Sequence, residues 1–314
     1  MSKRSMIALA VLAIGCIGVL SCRSVGNTPL PANPNRDRIA FLKHTDPSII
    51  SLLLRGANTS IEVMNTGSFE LTHVMQHHDL QWTLDWSPDG DYIAYFDNNT
   101  QSLYKIVVDG SGQPELLLQK AYGIHPSWSP DGSQIAYAGS GDIHLLHLAS
   151  KQITSLLGET TKGTHPDWSP DGGQVVFTQN PVNMEGPPSS IAAINMDGSG
   201  LVQLTPDDGS NSPKWSPDGS KIVFQKAGNI YVMNSDGSNV HALIEDGKSY
   251  MPAWSSDGTE IVFLSDINQK CGVSIAGGPR FCTNEIRIMN SDGSNIEVLR
   301  NEPNERYMTP VWAP

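Results

Sequence analysis

The side chains most able to do chemistry in this 314-residue chain are imidazoles and thiols. His125 and His165 stand in matching surroundings, each as His-Pro-x-Trp. Neutral imidazole is a common ligand for divalent metals. Joined by His77 or His78 from the segment before, the pair could form a metal set. Such ligands also need partners on their outer nitrogens, which a sequence does not display. The same His-Pro pair also reads as a plain strand-start signal. The thiols number four: Cys16, Cys22, Cys271 and Cys282. The last two lie eleven residues apart in a Gly-rich insertion, with no Cys-x-x-Cys spacing and no third Cys nearby. In an exported chain that pattern predicts a disulfide closing a loop rather than a metal site. No Gly-x-Ser-x-Gly nucleophile elbow is present. No cofactor is expected.

Charge narrows the partners. Lys+Arg number 20 against Asp+Glu 32, a net charge of −12. Nucleic acid is excluded on this ground, because a phosphate backbone needs a clustered basic surface. The N-terminus opens Met1-Ser2-Lys3-Arg4 and then runs apolar from Met6 to Leu20, the pattern of a secretory leader. Residues 1–21 are therefore read as a signal peptide and residues 22–37, rich in Pro and Asn, as a flexible tether. No run reaches the length of a spanning helix.

What positions the histidines is a repeat. Trp-Ser-Pro-Asp-Gly begins at Trp86, Trp128, Trp168 and Trp215, Trp254 opens a Trp-Ser-Ser-Asp-Gly copy, and Trp312-Ala-Pro truncates a sixth. The Trp spacings are 42, 40, 47, 39 and 58, near the length of one four-stranded propeller blade. Strand A ends at the Trp. Pro, Asp and Gly then supply a tight turn. That makes Asp89, Asp131, Asp171, Asp218 and Asp257 turn formers rather than paired acids. Strand B follows as β-branched and aromatic runs such as Lys221-Ile222-Val223-Phe224. Strand C leads to a second turn at Asp109-Gly110, Asp197-Gly198, Asp236-Gly237 and Asp292-Gly293, then to strand D. The first blade has strand B at Arg38–Phe41, C at Ser60–Met64 and D near Leu71–Val74. Its strand A must come from Met308–Trp312. The expectation is an all-β, six-bladed propeller over 38–314, of four-stranded antiparallel blades, closed by its C-terminal strand. The repeat Trp residues are read as packing between blades.

These repeats, together with Ile-Ala-Phe/Tyr and Tyr-x-Met-Asn-x-Asp-Gly-Ser, resemble the propeller repeat of TolB, the periplasmic Tol–Pal component. The repeat is shared by many exported bacterial proteins and by the propeller domains of oligopeptidases. TolB carries a further N-terminal domain, so the expectation here is a TolB-like lipoprotein. Ser21-Cys22 resembles the end of a bacterial lipobox, which implies lipid attachment at Cys22. The resemblance further implies an exported, membrane-anchored protein facing the periplasm or the cell exterior. The oligogalacturonate lyases also resemble this repeat and hold a metal by channel histidines. That implies an alternative function: a metal-dependent polysaccharide lyase or hydrolase.

In an antiparallel blade the A–B and C–D turns share one end, and the B–C loops share the other with the D–A crossovers. The length excursions (43–59, 179–190 and 265–284) all fall in B–C loops, which marks that end for binding. The residues three places before each Trp are Thr83, His125, His165, Ser212, Met251 and Thr309; Trp82 and Tyr250 stand among those one place earlier. A partner or ligand site is expected at Trp82, Thr83, His125, His165, Ser212 and Tyr250. The leading expectation is a monomeric, non-enzymatic binding propeller that recognises an envelope protein or cell-wall component.

Overall fold

The computed structural model describes residues 38–45, 58–77, 80–121, 123–158, 161–181, 188–271 and 282–314. The leader, the tether with Cys22, residues 46–57 of the first excursion and His78 lie outside the described residues. Among the described residues no helix is long and apolar enough to cross a membrane.

The described strands are β1 (Arg38–Thr45), β2 (Asn58–Asn65), β3 (Leu71–His77), β4 (Leu80–Trp86), β5 (Tyr92–Asp97), β6 (Ser102–Val107), β7 (Glu115–Leu118), β8 (Gly123–Trp128), β9 (Gln134–Gly139), β10 (Asp142–His147), β11 (Ile153–Ser155) and β12 (Lys162–Trp168). They continue as β13 (Gln174–Asn180), β14 (Ser190–Asn195), β15 (Val202–Gln203), β16 (Asn211–Trp215), β17 (Lys221–Lys226), β18 (Asn229–Asn234), β19 (His241–Ile244), β20 (Ser249–Trp254), β21 (Glu260–Ser265), β22 (Glu285–Asn290), β23 (Glu297–Arg300) and β24 (Glu305–Trp312). They form six four-stranded sheets, five of them from consecutive strands. The sixth runs β24-β1-β2-β3, so the C-terminal strand completes the first blade. Trp312 pairs with Ile39 and Val311 with Ala40, and the Ala313 N–H donates to the Arg38 carbonyl at 2.7 Å. The strands trim the expected excursions: Lys43–Thr45 pair with Asn58–Ser60 in blade 1, and Gln179 pairs with Ser190 in blade 4.

The third residue of each strand B motif (Phe41, Tyr95, Tyr137, Phe177, Phe224, Phe263) is at most 2% exposed. Burying one such ring contributes ~2–3 kcal/mol. The repeat Trp joins blades. Trp86 packs with Ala40, Leu42 and Ile61 of blade 1 as well as Ile93 and Tyr95 of its own blade. Its indole N–H donates to the Val311 carbonyl at 3.1 Å, and Trp254 donates likewise to Lys214 at 3.2 Å. Each turn is pinned from within. The Ser87 hydroxyl accepts the Tyr92 N–H at 2.9 Å, and the Gly90 N–H donates to the Ser87 carbonyl. Gly132, Gly172, Gly219 and Gly258, at φ near 70°, each sit against the turn Pro of the preceding blade; at Gly90 the partner is Pro314.

Candidate functional site

Every strand A breaks register just ahead of its Trp, as between Ile124 and Ser127, Thr164 and Asp167, Asn211 and Lys214 and Tyr250 and Ala253. The residue at the break is left-handed: His125 (φ 58°), His165 (52°), Ser212 (53°), Met251 (52°) and Thr309 (46°). A non-glycine residue held there is strained, and such bulges turn side chains toward a new direction. The following Pro makes no ladder bond to lose. The freed N–H groups find partners one blade back: His125 donates to Thr83 Oγ1 at 2.9 Å, Ser212 to Thr178 Oγ1 at 2.9 Å and Met251 to Gln225 Oε1 at 2.7 Å. The kink is thus over-determined by its neighbours.

The consequence is a ring. Thr83, His125, His165, Ser212, Met251 and Thr309, one from each blade, line a single axial cavity of about 50 Å³, together with the prolines that follow five of them and Lys214. That volume admits about three waters. The crossovers and B–C turns share an end of the propeller: Ser249 N–H donates to the Gly228 carbonyl at 2.7 Å, and Asp266 N–H to Lys248 at 2.9 Å.

The His125 and His165 rings lie against each other, with centroids 3.6 Å apart and planes tilted by 32°. Burial first, then mutual repulsion and the Lys214 ammonium, hold the His125 pKa well below the usual imidazole range. Burial and then Lys214 push His165 down to about 4. Both rings are therefore neutral near pH 7. Among the described residues no three His, Cys, Asp or Glu side chains gather as a metal-binding group; His78, one of the two expected third ligands, lies outside them.

Below the histidines lies a charged layer that sequence reasoning missed. Lys214 Nζ contacts Asp167 Oδ1 at 2.7 Å. The Trp215 N–H donates to Asp167 Oδ2 at 2.8 Å, and the Trp128 N–H to Asp85 Oδ2 at 2.7 Å. Desolvation outweighs the pull of Lys214 and raises Asp85 to about 6. For Lys214 burial acts downward, yet Asp167 and Asp85 together keep its pKa above the ordinary lysine value. The only signal in the sequence was a change of residue type one place before the Trp: Asp, Ser, Asp, Lys, Ala, Val around the ring.

Of the other expected site residues, Trp82 lies in β4, and Tyr250 is placed apart from the axial cavity. Its hydroxyl donates to Asp266 Oδ1 at 2.9 Å and accepts from Asn284 Nδ2 at 2.9 Å. With Gly228, Gly247, Lys248, Asp266, Ile267 and Gln269 it lines a second, open cleft of about 480 Å³ between blades 5 and 6. Beside it Cys271 and Cys282 are joined as a disulfide, S–S 2.11 Å.

The sequence profile of the family described as TolB beta propeller domain matches residues 36–227. No curated protein gives a significant sequence match. Among solved structures the chain is similar to TolB from Acinetobacter baumannii, at TM-score 0.69 and 20% identity, over 88% of this chain and 67% of that one. It is similar in fold to a chain of a nidogen/laminin complex (TM-score 0.65, 12% identity, 88% and 98% covered). It is also similar to an oligogalacturonate lyase in complex with manganese (TM-score 0.51, 12% identity, 86% and 75% covered).

Proposed function

We propose that this chain, which belongs to the TolB beta propeller domain family, is a non-enzymatic binding propeller of the bacterial cell envelope. It recognises an envelope protein or a cell-wall component through the end that carries its B–C loops and crossovers. The observation that carries this reading is the axial ring: six blades each give one residue, five of them kinked, to a single cavity on the axis. Such convergence of hydroxyl, imidazole and thioether groups suits the tip of a bound partner. The stereotyped Ser-Pro-Asp-Gly turns at the opposite end serve the fold. The neutral, closely packed histidines act here as contact surface. Likeness to TolB supports a protein partner and an envelope location. In this reading Cys22 carries the lipid that tethers the propeller, by residues 22–37, to a membrane facing the periplasm or the cell exterior, and the propeller works as a monomer.

The test is capture from envelope extract with the intact protein, and with His125→Asn, Ser212→Asn and Tyr250→Phe variants. A specific partner is expected to be retained by the parent and lost from the variants. Undiminished capture by all three would move the site elsewhere. The intact mass of the purified N-terminus tests lipidation at Cys22: an unmodified or uncleaved N-terminus refutes the anchor.

A further inference from the structure

The ring one residue before each Trp holds two carboxylates and one ammonium, and they are not equally available. Asp167 spends one oxygen on Lys214 Nζ and the other on the Trp215 N–H. Asp85 accepts the Trp128 N–H. Both carboxylates therefore stitch one blade's strand A to the backbone of the next, and neither lines the axial cavity. Lys214 does line it, as the one formally charged residue among the lining groups. An ammonium has three donors, and Asp167 takes one. Thr83 Oγ1 accepts the His125 N–H, so its own hydrogen is left to donate into the same space. The cavity wall offers a hydroxyl donor and an ammonium that Asp167 contacts from outside the lining and Asp85 also attracts; no carboxylate is among the lining residues.

We infer that the floor of the axial cavity is a carboxylate pocket, with Lys214 as counter-ion and Thr83 as a hydrogen-bond donor. This rests on the binding reading above and adds the chemistry of the group recognised. A carboxylate delivered by the ligand enters between His125, His165 and Ser212 and meets Lys214. A space of about 50 Å³ admits a two-oxygen planar group and no sugar ring. A phosphate, with more charge, would call for further cations such as an Arg fork. The carboxylate can come from a chain terminus or from an Asp or Glu side chain at a loop tip.

The reporter is built in: the Trp254 indole N–H donates to the Lys214 carbonyl. Its resonance is followed by NMR in the intact protein during titration with formate, with chloride and methylammonium at matched ionic strength as controls. A saturable shift with formate alone is expected. Lys214→Met should weaken it by about tenfold or more, the scale of one charge-assisted hydrogen bond. Because that variant strips Asp167 of its counter-ion and destabilises the fold, Ser212→Asn is measured beside it. Asn tolerates the left-handed backbone, keeps every charge and crowds the cavity, so formate affinity should fall there too. Peptides with free or amidated C-termini, and with internal Asp or Asn, then compete against formate to identify the source. A non-saturating shift common to all salts, binding of methylammonium in place of formate, or unchanged affinity in both variants would overturn the inference. Loss of partner capture with formate binding intact would instead overturn the binding reading.

Discussion

His165→Asn tests the electrostatics of the channel directly. The unfolded imidazole titrates near 6.5, whereas the folded ring titrates near 4. Between those values the unfolded chain binds the extra proton, so stability present above pH 6.5 is lost as pH falls toward 4. From pH 7 to pH 4.5 the linkage relation gives a loss of about 2 kcal/mol from His165 alone. His125 acts with the same sign. Asp85 acts with the opposite sign: its raised pKa of about 6 makes the folded chain the stronger proton binder, so acidification favours the native state there. Asn removes the titration at position 165 and suits the φ of 52° found there. Urea denaturation of parent and variant at both pH values reads the His165 contribution together with the repulsion it exerts on His125, both of which the variant removes. The parent should lose ~2 kcal/mol more than the variant on acidification. Equal losses would mean that the rings are hydrated and not held neutral by burial.

The closing strand should matter as much as any repeat Trp. Trp312, 7% exposed and packed with Phe41, Val262 and Tyr307, should cost ~3–5 kcal/mol as Trp312→Ala; a loss below ~1 kcal/mol by denaturation would refute the closure. Asn284→Ala orphans both the N–H and the carbonyl of Tyr307, an expected loss of ~2–4 kcal/mol; an unchanged melting temperature would show that water replaces the amide. Gly172→Ala, at φ 72° against Pro130, should cost ~1–2 kcal/mol and Gly172→Asn less; equal effects would point to crowding rather than backbone strain. Cys271→Ser with Cys282→Ser should remove ~2–3 kcal/mol, read as a lower denaturant midpoint.

The framework was legible because each of its parts is written locally and repeated. Trp-Ser-Pro-Asp-Gly marks a strand end and a turn, and the Ile-Ala-Tyr type motif marks the buried strand beside it. Six registers of the same pattern leave few other architectures. The convergence of Thr83, His125, His165 and Ser212 followed from counting three places back from each Trp. What was not legible depends on direction and company. Tyr250 is one place from the ring, yet the bulge sends it into blade 6 toward Asp266 and Asn284. Lys214 looks like a surface lysine in the sequence, and only the fold sets it on the axis against Asp167. The close, tilted contact of His125 with His165 is a matter of ring orientation that no spacing encodes.

The kink that precedes five of the six repeat Trp residues has a wider consequence. At His125, Ser212 and Met251 it is held by the Pro that follows and by a hydrogen bond to the neighbouring blade, not by the side chain that it displays. Histidine, serine, methionine and threonine all occupy it. The wheel therefore separates its frame from its vocabulary: residues facing the axis can be exchanged while the spokes stay put. A new ligand preference on this scaffold needs rewriting at six places and no rebuilding of the hub.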